Sequence, residues 1–146
     1  MILKISKGVW AVSILGVLAA LLFVYASLPE SVLVFSGDSE PVYLGRETFF
    51  YVALIAVTLI NTMVFPVSAL FKKDVALRTW FNFLVVVLNI FFIISLFVIN
   101  SINSNEKFKF EEIGFLVYGS VILIAVWTVA WPVYFLIRKF SAKPSV

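Results

Sequence analysis

This chain has no cysteine and no histidine, and charged side chains make up only 13% of its 146 residues. Without cysteine there are no disulfides, no thiolate metal sites and no iron–sulfur ligation. Without histidine there is no His-ligated haem and no His-dependent triad. The charge content is about half that of an ordinary soluble domain, near 25%. What fills the gap is apolar: 63% of the residues are hydrophobic, and the mean hydropathy is +1.12. An ordinary domain is about 45–50% apolar. Both departures indicate a membrane protein.

The few charges leave four long uncharged runs, Gly8 to Pro29, Thr48 to Phe71, Thr79 to Asn105 and Ile113 to Ile137. Each exceeds the roughly 18 apolar residues of a transmembrane candidate. In lipid such a run must be helical, because its backbone finds no water to bond. Barrel strands are only about 9–11 residues long and alternate. The expected fold is therefore an all-α membrane protein, an antiparallel bundle of four transmembrane helices in one domain. The spans fall at about 8–28, 48–71, 79–101 and 113–137. The first run has Lys4 and Lys7 ahead of it and Val24-Tyr25-Ala26 at its end, as a signal peptide would. Its core exceeds the 7–15 residues or so of a signal-peptide core, so it reads as a span.

Charge sorts by side. Lys4, Lys7, Lys72, Lys73, Arg78, Arg138, Lys139 and Lys143 fall on one side with Asp74 alone, a net +7. Arg46, Lys107 and Lys109 fall on the other with seven acids, a net −4. The positive-inside rule makes both termini cytoplasmic. It also accounts for the sequence pI near 9.3 without nucleic acid as a partner. Trp10, Trp80, Trp131 and Tyr134 near the inner ends, and Tyr25 and Tyr51 near the outer ends, suit interfacial aromatic belts.

The outer loop 29–47 is not simply hydrophilic. Ser31–Phe35 and Pro41–Leu44 are β-prone and flank the turn-rich Ser36-Gly37-Asp38-Ser39-Glu40. This predicts a small extracytoplasmic β-hairpin over 31–44. A lone hairpin is marginal in water, so it is expected to lean on the helix ends or on a partner. The third link, about Ser101 to Glu112, contains Asn103-Ser104-Asn105, which favours a turn.

Pro66-Val67 through Lys72-Lys73 matches Pro132-Val133 through Arg138-Lys139 at an offset of 66. A duplicated two-helix unit, 1–73 and 74–146, would produce this. So would the common ending of a membrane helix in proline and basic residues. Each proline removes a helical hydrogen bond, so kinks are expected at Pro66 and Pro132.

No Asp, Glu, Lys or Arg lies inside the spans, although proton relays and ion pathways use such residues. No catalytic, cofactor-binding or metal residues are expected, and the chain reads as a non-enzyme. What remains is uncharged polarity. Asn82, Asn89 and Asn100 share one stripe of span three, and Asn61 and Ser68 share a face of span two. These suit interhelical hydrogen bonds, or a polar path. Ser13, Gly16, Ala20 and Ser27 form one face of span one, with a small-xxx-small pair for close helix packing, internal or between subunits. The outer acids Glu30, Asp38, Glu40 and Glu47 match no calcium loop. The inner basic residues suit anionic lipid headgroups.

Leu28-Pro29-Glu30, Val34-Phe35, a Gly-containing turn, Arg46 and Phe49-Phe50 together resemble the domain of unknown function of SdpI-type membrane proteins, with a shorter loop and no histidine. The whole chain resembles small four-span bacterial proteins of the Bacteroidota kind. The resemblance implies a bacterial inner-membrane protein, with an immunity, signalling or ligand-binding role as one option. The leading expectation is a non-enzymatic accessory or scaffolding subunit, with the bilayer and other membrane subunits as partners. A passive channel or small-molecule carrier is the third.

Overall fold

The computed structural model describes residues 1–35, 40–104 and 110–141. Most of them are helical, and four helical segments are long and apolar enough to cross a membrane. The elements are α1 (Ile2–Ser27), β1 (Ser31–Phe35), β2 (Val42–Gly45), α2 (Arg46–Thr62), α3 (Val64–Leu70), α4 (Val75–Asn103) and α5 (Phe110–Ser141).

The helix ends follow local chemistry. α1 stops before Leu28-Pro29, since a residue preceding proline is driven out of the helical region. α4 starts at Asp74, whose carboxylate accepts from the Leu77 N–H at 2.8 Å and so satisfies one free helix donor. The second apolar run breaks at Met63 into α2 and α3. Pro66, three residues on, has no N–H for the Thr62 carbonyl, and its ring crowds that turn. Around Pro132, by contrast, α5 continues without interruption.

Several boundaries differ from the sequence expectation. α1 begins at Ile2, because Lys4 and Lys7 sit on an exposed helical turn that water can solvate. α4 runs through Asn103, so Ser101 to Asn103 are helix and not part of a link. Glu111 and Glu112 lie within α5. Asn105 and the hairpin turn residues 36–39 lie outside the described residues.

The hairpin is present as two antiparallel strands, with Ser31 opposite Gly45, Val32 opposite Leu44 and Leu33 opposite Tyr43. The register slips between Leu33 and Phe35. β2 leads directly into α2, and Val32 is fully buried in the cluster that holds Val24, Leu28 and Leu96.

The helices form an open bundle around α4. α1 and α4 make the most extensive contact and run parallel: Ser6 meets Asn82, Ser13 meets Asn89 and Ser27 meets Asn100. Val17, Ala20, Leu21 and Val24 of α1 and Leu96 of α4 belong to one buried cluster, joined by Val57 of α2 and by Leu28 and Val32. α2 lies antiparallel to α1, with Tyr25 on Phe50 and Trp10 near Phe65 of α3. α5 packs only against α4 among the described residues. Its contact is aromatic, with Phe83 on Trp127 and Trp80 on Trp131.

Candidate functional site

The buried polar atoms gather in a seam between α1, α2 and α4. Asn82 and Asn89 are seven residues apart on α4, and Ser6 and Ser13 are seven apart on α1. Two parallel helices packed at this spacing repeat the same contact every two turns. The contact does repeat. Ser6 Oγ donates to Leu3 O at 3.0 Å and accepts from Asn82 Nδ2 at 3.1 Å. Ser13 Oγ donates to Trp10 O at 2.7 Å and accepts from Asn89 Nδ2 at 2.9 Å. One heptad further, Ala20 and Leu96 continue both rows as an apolar layer, and both are buried.

Asn61 of α2 joins the seam at its centre. Its Nδ2 donates to Asn89 Oδ1 at 2.8 Å and to its own helix at Val57 O, 2.9 Å. Its Oδ1 accepts from Asn89 Nδ2 at 3.0 Å and from Trp10 Nε1 at 3.0 Å. A primary amide has two donor hydrogens and two acceptor lone pairs, so Asn61 is fully satisfied. Asn82, Asn89 and Asn61 are 1%, 0% and 8% exposed. Buried amides lacking these partners would each cost about 1–3 kcal/mol, so the seam specifies how three helices register.

A second polar cluster lies at the hairpin end of the helices. Ser27 Oγ donates to Asn100 Oδ1 at 2.7 Å. Asn103, expected in a turn, instead clamps β1: its Nδ2 donates to Leu33 O at 2.9 Å and its Oδ1 accepts from Leu33 N at 2.7 Å. One side-chain amide thus takes the place of a neighbouring strand along β1. Arg46 ties the base of the hairpin to α1. Its backbone N–H donates to Glu30 O at 2.9 Å, and Nη1 donates to Leu28 O at 3.3 Å. Its guanidinium sits 5.2 Å from the Tyr25 ring centroid, within range of a cation–π contact. Leu28, Glu30 and Arg46 therefore meet at one place. Arg46 Nε is buried there without a partner among the described residues.

Asn82, Asn89 and Asn100 all face α1. Asn61 shares the seam, while Ser68 lies beyond the Met63 break, half-buried and outside the seam. Ser13, Ala20 and Ser27 face α4, and Gly16 sits at the edge of that contact, where an added Cβ would stand 3.5 Å from Ile93 Cδ1. That is ordinary contact distance, so alanine would fit at this position. Trp10, expected in an interfacial belt, spends its indole N–H on buried Asn61. Sequence spacing could have found Ser6, which lies seven residues before Ser13. Asn103 likewise continues the row of Asn82 and Asn89.

Two lateral grooves accompany the seam. One, of about 570 Å³, lies at the end away from the hairpin, between α1, α4 and α5. The other, of about 270 Å³, lies under the hairpin between α2 and α4, with Val34 and Leu44 above Phe49, Val52 and Phe92. Neither is lined by Asn61, Asn82 or Asn89. Among the described residues no three His, Cys, Asp or Glu side chains gather as metal ligands.

The chain matches no known protein family, no characterised protein and no solved structure. Its function is therefore read from its own side chains.

Proposed function

We propose that this protein is a non-enzymatic, multi-pass subunit of a bacterial inner membrane, an accessory or scaffolding component of a larger membrane assembly, with both termini cytoplasmic. The observation that carries this reading is α5. Only 6% of its most apolar stretch is buried, against 33% in α4. Phe115, Leu116, Tyr118, Ile122, Val126 and Val129 are all exposed. A helix apolar on every side is a membrane or interface helix. The polar side chains of the seam, meanwhile, bond one another and serve helix registration. The +7 and −4 sides support cytoplasmic termini.

Purification from native membranes in mild detergent, followed by crosslinking mass spectrometry, tests the proposal. Crosslinks from α5 to other membrane subunits are expected. Recovery as a free monomer without partners would contradict it.

The hairpin favours a second reading, an immunity, signalling or ligand-binding module of the SdpI-like kind. Asn103 and Arg46 hold it in a fixed pose on the outer ends of the helices. Replacing Ser36 to Glu40 with a neutral linker would then abolish the phenotype while insertion stays intact. A passive channel has less support, because Asn61 and Asn89 bond each other and the apolar layer of Ala20 and Leu96 follows.

A further inference from the structure

We propose that the inner groove between α1 and α5 is a site for an anionic phospholipid, one acyl chain lying in the groove and the phosphate at its basic mouth. This rests on the membrane reading above. The groove is lined by Ile2 of α1, Trp80 and Phe83 of α4, and Trp127, Trp131 and Tyr134 of α5. Among the described residues α1 and α5 make no direct contact, and the groove stays open on that side. Its volume, about 570 Å³, lies within the range of about 300–1,000 Å³ typical of small-molecule sites.

Its walls suit a hydrocarbon chain. Trp80 Nε1 donates to Trp127 O at 3.0 Å, and Trp127 Nε1 donates to Trp80 O at 3.3 Å. Thr79 Oγ1 donates to Val75 O at 2.8 Å. These polar groups are already occupied within the protein, so ring faces and methyl groups line the groove. Trp80 and Trp131 lie 5.8 Å apart, and Trp131 and Tyr134 5.6 Å, forming a continuous aromatic wall.

The mouth suits an anion. Trp127, Trp131, Tyr134 and Arg138 follow one another at helical spacing, so exposed Arg138 extends the lining stripe by one turn. Lys72 and Lys73 directly precede the α4 end of the groove. The one acid there, Asp74, caps α4 through Oδ1 on Leu77 N and is outnumbered by Lys72, Lys73 and Arg138. An apolar groove with a cationic mouth at the inner face complements an anionic amphiphile of the inner leaflet.

Three of the four tryptophans line the groove, so intrinsic fluorescence reports its occupancy directly. The full-length protein is reconstituted into phosphatidylcholine vesicles. Phosphatidylglycerol or phosphatidylcholine brominated near the carboxyl end of its chains is then titrated in. Brominated phosphatidylglycerol is expected to quench with a preference of roughly fivefold or more. Arg138→Gln with Lys73→Gln should remove the preference. Lys4→Gln with Lys7→Gln, which lowers net charge equally away from the lining stripe, should leave it. Equal quenching by both lipids in the unmodified protein would overturn the site, as would equal loss in both charge variants, which would reveal diffuse attraction only. Absence of quenching by either lipid would instead defeat the membrane reading itself.

Discussion

The side-chain amides of Asn61 and Asn89 exchange two hydrogen bonds, at 2.8 and 3.0 Å, across α2 and α4. Asn89 also reaches Ser13 of α1, and Asn61 reaches Trp10. One amide pair therefore joins three helices. Between membrane helices the hydrophobic effect supplies no drive, so packing and such bonds carry the association.

Asn89→Leu should destabilise the protein by about 1–2 kcal/mol, since it strands Asn61 and Ser13 in an apolar interior. Thermal unfolding in detergent reads this directly. Asn61→Leu combined with Asn89→Leu should cost clearly less than the sum of the two single changes, because neither partner is then left unpaired. Additive costs would mean that the pair is not coupled.

Asn82→Leu should cost less, near the average of about 0.6 kcal/mol for membrane interhelical hydrogen bonds. Its amide gives one bond to one hydroxyl, Ser6. A larger loss than for Asn89→Leu would place the organising contact at the wrong end of the seam.

The four long apolar helical segments are legible in the sequence because uncharged runs beyond about 18 residues admit little but helix. The hairpin is legible because two β-prone segments flank a turn-rich stretch. The alignment of Asn82 with Asn89 follows from a spacing of seven. The match of Asn89 with Asn61 and of Asn61 with Trp10 does not, since these side chains meet only through packing between elements. Asn103 misleads for a physical reason: asparagine suits turns as well as helix ends, and only the nearby backbone of Leu33 decides. The openness of the bundle leaves no trace, because Phe and Val facing lipid look the same in sequence as Phe and Val facing another helix.

Asn103→Ala should release β1 from α4 without melting either helix. Hydrogen exchange at the Leu33 amide, now bonded to Asn103 Oδ1 at 2.7 Å, should accelerate by tenfold or more, for about 1.4 kcal/mol lost. The amides of α1 near Val17 should keep their protection. Unchanged exchange at Leu33 would show that strand pairing alone holds the hairpin.

Trp127→Phe should loosen α5, which among the described residues touches only α4. It removes the indole donor to Trp80 O while keeping an aromatic ring against Phe83. Faster proteolytic cleavage near α5, with the α1 and α4 seam intact, is the expected outcome.

Because the chain lacks cysteine, single cysteines report sidedness without background. Labelling of Glu40→Cys and Lys73→Cys in intact cells with a membrane-impermeant maleimide tests the central claim of a multi-pass protein with cytoplasmic termini. Glu40→Cys should label readily, and Lys73→Cys only after the membrane is breached. Labelling of Lys73→Cys but not of Glu40→Cys would invert the topology, and equal labelling of both in intact cells would contradict the membrane-spanning account altogether.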